Sequence, residues 1–105
     1  VSTYSSVSVE ASIFSKPSIN INFDGYKNRP FNQSIKRSKF KTHFKHVLKT
    51  DGVRQAENKN DLFNFINEFL ENPDANEDNL EKLKIKMCWK IDGKSSERIV
   101  NHILI

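Results

Sequence analysis

Between Gly25 and Thr50 the chain carries eight lysines and arginines and not one carboxylate; from Asp51 to Glu81 the sign reverses, with nine acids against Arg54 and Lys59. Residues 82–105 turn basic again, with six cations against Asp92 and Glu97. Blocks of like charge limit the ways such a chain can close on itself. Either basic and acidic elements neutralise one another across a shared surface, or the basic blocks lie together and set up a field that attracts anions. A net charge of only +4 conceals the segregation.

At 105 residues the chain suffices for one domain with one hydrophobic core, spanning residues 1–105. Its eight phenylalanines offset an otherwise polar composition, so a modest core is expected. The first residue is Val and residues 1–5 form a Ser-rich lead, which reads as a flexible start to a domain cut from a longer protein. Cys88 is the only cysteine and cannot close an internal disulfide, which fits a reducing, intracellular setting. No signal-peptide pattern and no run of about 18 apolar residues occurs, so the expected location is cytoplasmic, peripheral at a membrane, with the nucleus as the alternative.

Hydrophobic periodicity suggests the elements. Val7, Val9, Ala11 and Ile13 alternate with polar residues, as do Ile19, Ile21 and Phe23, and Pro17 lies between the two runs. That pattern predicts an antiparallel hairpin. From Ser34 or Ser38, either a suitable cap, the period becomes helical and brings Phe40, Phe44, Val47 and Leu48 onto one arc, with Lys41, Lys45 and Lys49 as a ladder beside it. Asp51-Gly52 ends this helix. A second helix runs from Asn60 or Asp61 to the stop at Pro73, followed by an acidic loop. Leu83, Ile85, Met87, Trp89 and Ile91 alternate with Lys84, Lys86, Cys88 and Lys90, the signature of a strand, and after Asp92-Gly93 the tail favours a helix over a strand. The predicted fold class is α+β: a small antiparallel sheet covered on one face by two or three helices.

Motifs for chemistry are lacking. His43 and His46 stand at i, i+3 without a third ligand to complete a metal shell, and a solvated helix face explains them. Cys88 sits among lysines and His102 is a candidate base by sequence alone, but a lone thiol on a strand is the simpler reading. Gly25, Gly52 and Gly93 are isolated and make no phosphate-cradling loop. The chain therefore reads as a non-catalytic binding module without a cofactor.

The candidate anion-binding residues are Lys36, Arg37, Lys39, Lys41, Lys45 and Lys49 in the first basic block and Lys84, Lys86, Lys90 and Lys94 in the second. Three partners suit them. Acidic phospholipids are favoured, because each basic residue near an anionic bilayer contributes about 1 kcal/mol without any need for base readers or a deep pocket. Nucleic acid is the second: Lys outnumbers Arg thirteen to four, which suits phosphate tracking better than base recognition. An acidic protein segment, or another domain of the parent chain, is the third.

The closing run "LKIKMCWKIDGKSSERIVNHIL" resembles the end of kinase-associated-1 domains, with a basic and apolar strand, a Gly turn, a Ser and a terminal amphipathic helix. The resemblance implies a C-terminal regulatory domain of a protein kinase that binds acidic phospholipids, with Lys36, Arg37, Lys39, Lys41 and Lys45, together with Lys84, Lys86, Lys90 and Lys94, as headgroup contacts. The Phe-rich second helix departs from that family, where further strands are expected.

Overall fold

The computed structural model describes residues 1–104 and mixes helix with a little strand. In chain order it has α1 (Val7–Ile13), β1 (Ile19–Ile21), two 3-10 turns (Phe31–Gln33 and Ile35–Phe40), α2 (Thr42–Leu48), β2 (Arg54–Ala56), α3 (Lys59–Glu71), α4 (Glu77–Cys88) and α5 (Ser95–Ile103). The α+β class holds, but the sheet is parallel. β1 and β2 pair in register from Ile19 opposite Arg54 to Ile21 opposite Ala56. Ser2 joins the other edge of β1 in the same direction, its N–H donating to the Ile19 carbonyl and its carbonyl accepting from the Ile21 N–H, both at 2.9 Å.

A parallel sheet requires a crossover between consecutive strands, and this explains why the expected hairpin does not form. Residues 7–13 are the helical crossover between Ser2 and β1, and their buried positions are Ser8 and Ser12 rather than the alternating valines. Helix α1 packs against α4, and Val9 reaches the core that Leu80 and Leu83 help to build. Val7 is left more than half exposed. The path from β1 to β2 is the second crossover and contains the basic block.

That block is not one helix. Ser34 caps a 3-10 turn by accepting from the Lys36 N–H at 3.1 Å, and the chain then extends at Lys41 (ψ 135°) before α2 begins. The break turns Phe40 outward, while Phe44 and Val47 enter the core. Asp51 ends the element with a left-handed backbone (φ 53°). Gly52 then passes so near α4 that a Cβ on it would stand 2.6 Å from the Leu83 Cβ.

The core joins Phe44 and Val47 of α2, Val53, and Leu80 and Leu83 of α4, with Tyr4 and Val9 packed against it. Residues 83–91 are therefore not a strand. The buried Leu80 and Leu83 stand at helical spacing, Glu77 and Asp78 lie in the first turn and Lys86 in the last, where each complements the helix dipole. Of the five alternating apolar residues only Leu83 is fully buried; Ile85 and Trp89 stay 58% and 67% exposed. The strand–turn–helix pattern behind the likeness to kinase-associated-1 domains is thus helix–turn–helix in this chain. Helix α3 is present as expected but starts earlier: Asn58, not Asn60 or Asp61, caps it by accepting from the Asp61 N–H at 2.8 Å, and it packs on both strands while leaving Phe63 and Leu70 exposed. Helix α5 is also helical as expected, although it has no substantial packing partner. The radius of gyration, 16.3 Å, exceeds the roughly 13 Å of a compact domain this long.

Candidate functional site

In open sheets of parallel strands, ligands bind in the crevice beyond the carboxyl ends of the strands, where the loops that leave the sheet diverge. Here β1 runs out through Asn22, Phe23 and Asp24, and β2 through Glu57 and Asn58. An open crevice of about 700 Å³ lies between these two exits, within the range of small-molecule sites. Four cations line it: Lys27, Arg29 and Lys36 from the basic block, and Lys59 from the start of α3. Asp24 and Glu57 are the opposing carboxylates.

The hydrogen bonds decide which charges remain available. Asp24 accepts from the Ser34 hydroxyl and, at 2.7 Å, from the Ile35 N–H, so both its oxygens are committed to holding the 3-10 turn. These bonds, with the nearby charges of Lys36 and Arg29, keep its carboxyl below the usual carboxylate range. Glu57 accepts from the Asn22 side-chain amide at 2.6 Å. None of the four cations has a carboxylate oxygen within 4.0 Å among the described residues. Lys59 instead lies 3.5 Å from the Tyr26 ring centroid, and this contact holds its ammonium at the rim. With four cations against two carboxylates, the crevice is positive on balance.

A polar network ties the two strands together next to these exits. Tyr4, held at φ 47°, donates its hydroxyl to Asn22, while its backbone N–H donates to the Asn20 side chain. The Asn20 amide continues to Gln55 at 2.8 Å. Asn20 and Asn22 are fully buried and fully partnered, so they hold the strand exits in place. Burial, then the charge of Glu57, raises the Tyr4 pKa, which keeps the phenol neutral and donating.

The sequence-derived candidates scatter over several surfaces. Lys36 alone among them lines the crevice. Arg37 turns its guanidinium to the Asn32 carbonyl at 2.8 Å, and the half-buried Lys39 holds its ammonium 5.4 Å from the Phe40 ring. Lys41 marks the chain break, and Lys45 and Lys49 are exposed at the end of α2. None of these six has an ion-pair partner within 4.0 Å among the described residues. Lys84 does, with Glu81 at 3.4 Å. Lys86, Lys90 and Lys94 are exposed around the joint between α4 and α5, and Lys90 lies 4.9 Å from the Trp89 ring. Instead of one lysine face, the structure has a crevice rim, a short helix end and a C-terminal joint.

Lys27, Arg29, Lys59, Asp24 and Glu57 are the crevice residues outside the candidates drawn from the sequence. They become legible only once Arg54–Ala56 is seen to be a strand, and three largely polar residues give no such signal. No family model matches the chain, and neither the curated proteins nor the solved structures give a significant match. Among the described residues no helix is long and apolar enough to cross a membrane, and no cluster of three metal-ligating side chains occurs.

Proposed function

We propose that this chain is a binding module for a phosphate-bearing ligand, taken in the crevice at the carboxyl ends of β1 and β2 by Lys27, Arg29, Lys36 and Lys59. One observation carries the reading: four cations line the crevice against two carboxylates, of which Asp24 uses both oxygens to hold the 3-10 turn and Glu57 one to hold Asn22, and none of the cations has a carboxylate oxygen within 4.0 Å among the described residues. A volume of about 700 Å³ suits one phosphorylated group with its attached moiety, not a polymer. Arg29 supplies a fork for two phosphate oxygens and the lysines supply point charges. The side-chain amides of Asn28, Asn58 and Asn60, on the same lining, offer donors and acceptors to whatever the phosphate is joined to.

Two sources share that chemistry, a soluble phosphate ester and the headgroup of an acidic phospholipid. The second is favoured by a separate observation: Lys41, Lys45 and Lys49 are exposed and unpaired outside the crevice, where they suit a broad anionic surface. Calorimetry with inorganic pyrophosphate, beside sedimentation with phosphatidylserine and phosphatidylcholine vesicles, separates the two. Saturable pyrophosphate binding that Arg29→Ala abolishes supports the crevice in either form. Vesicle binding lost on charge reversal at Lys41, Lys45 and Lys49, without pyrophosphate binding, assigns the function to surface docking instead. Retention by oligonucleotides alone moves it to nucleic acid.

A further inference from the structure

Beside its four cations the crevice holds a carboxylate that none of them neutralises. Glu57 follows β2 directly, and its Oε2 accepts from the Asn22 side-chain amide at 2.6 Å. Asn22 is fully buried and itself accepts from the Tyr4 hydroxyl, so the carboxylate is tied to the sheet. The second oxygen, Oε1, accepts no hydrogen bond among the described residues, and no Lys or Arg nitrogen lies within 4.0 Å of Glu57.

Three amide side chains share the lining with it. Those of Asn28 and Asn60 make no hydrogen bond among the described residues, and Asn58 commits only its oxygen, which accepts from the Asp61 N–H at 2.8 Å. Each amide therefore keeps two N–H donors. Phe31, 62% exposed, also lines the crevice, and its ring lies against Phe40 with centroids 5.8 Å apart.

These groups ask different things of a ligand. The cations take a phosphate, whereas a carboxylate oxygen repels phosphate and needs an O–H or N–H donor. Amides without partners match a group that both donates and accepts, which a hydroxyl does. Neighbouring hydroxyls on a ring can meet a carboxylate and an amide together, and the C–H face of the same ring gives Phe31 an apolar surface to cover. An ammonium would also satisfy Glu57. It would, however, add positive charge to a crevice with four cations against two carboxylates, and it accepts nothing from the amides.

We infer, resting on the phosphate site proposed above, that the ligand is a phosphorylated polyol: a sugar or cyclitol phosphate whose ring hydroxyls donate to Glu57 Oε1 and pair with Asn28, Asn58 and Asn60. A free polyol phosphate and the headgroup of phosphatidylinositol share this chemistry.

Calorimetry of the whole chain with myo-inositol 1-phosphate, inorganic phosphate and phosphoethanolamine is the test. Inositol 1-phosphate should bind about tenfold more tightly than inorganic phosphate, through the hydrogen bonds to Glu57 and the amides, and phosphoethanolamine should bind no more tightly than inorganic phosphate. Glu57→Gln keeps an acceptor for Asn22 and should move two affinities in opposite directions. Inositol 1-phosphate weakens about tenfold, and inorganic phosphate tightens because a repelling charge is gone. If that variant does not fold, the order of the three ligands on the unaltered chain decides. Equal affinity for inositol 1-phosphate and inorganic phosphate, or a preference for phosphoethanolamine, overturns the inference and leaves the phosphate site standing. Binding of none of the three, nor of pyrophosphate, overturns both. Phosphatidylcholine vesicles carrying equal charge as phosphatidylinositol or phosphatidylserine identify the source. Preference for phosphatidylinositol supports the lipid headgroup, and binding of soluble inositol 1-phosphate without that preference supports the free polyol phosphate.

Discussion

The two basic segments of the chain end in opposite surroundings. The first, residues 25–50, is threaded between two strands, broken by a 3-10 turn and tied to Asp24, so its charges are positioned by polar contacts around a concave site. The second, residues 82–105, continues from the core into a helix that packs on little else, so its charges border exposed apolar side chains. Basic charge is thus presented in two different settings. The proposed small-anion site belongs to the first setting, where the cations line a crevice.

That contrast can be broken at α4, which joins the core to the exposed C-terminal arm. Leu83→Ala removes a fully buried side chain from the core and should cost about 2–5 kcal/mol of unfolding free energy in urea melts. Leu104→Ala, on the exposed arm, should stay within about 0.5 kcal/mol. A large loss from Leu104→Ala in a monomer would mean that α5 is part of the fold rather than an added surface. Next in size is Gly52→Ala, whose new methyl meets Leu83 and the Asn79 carbonyl. We expect about 1–3 kcal/mol of destabilisation by thermal denaturation.

On the crevice side, Lys36→Ala should weaken pyrophosphate binding about tenfold through the loss of one charge-assisted contact, with the melting temperature unchanged. The same change at Lys90 should leave that affinity untouched. Equal losses at the two sites would erase the distinction between the segments. The smallest effect concerns pH. Asp24 and Asp92 both titrate below the usual carboxylate range, the first held by Ser34 and Ile35, the second by the Lys94 N–H and Arg98. Their contribution to stability is complete above the unfolded carboxylate pKa and is lost as pH falls through the lower folded values. Asp24→Asn should flatten that acid limb slightly in melts taken across acidic pH.

How much of this was legible in the sequence follows from which forces act locally. Helix α3 announced itself, because a cap, an amphipathic stripe and a terminal Pro coincide in one segment. Whether the lysines from 34 to 49 stay unpaired was not legible, since the block has no acid of its own but the nine acids of residues 51–81 were equally able to match them. The segments at 7–13 and 83–91 misled, because their two-residue alternation arises by coincidence on helices whose buried positions are Ser8 and Ser12 in one and Leu80 and Leu83 in the other. The parallel pairing of Ile19–Ile21 with Arg54–Ala56 spans about thirty residues and leaves no local trace, so the crevice it creates was invisible as well.

The most direct test of the crevice reading is a titration of the isotopically labelled chain with inorganic pyrophosphate, followed by amide chemical shifts. The account predicts saturable shifts concentrated in residues 23–36 and 57–60, with little change at Lys86, Lys90 and Lys94. Shifts absent from those two loops, or confined to the ends of α2 and α4, would contradict it.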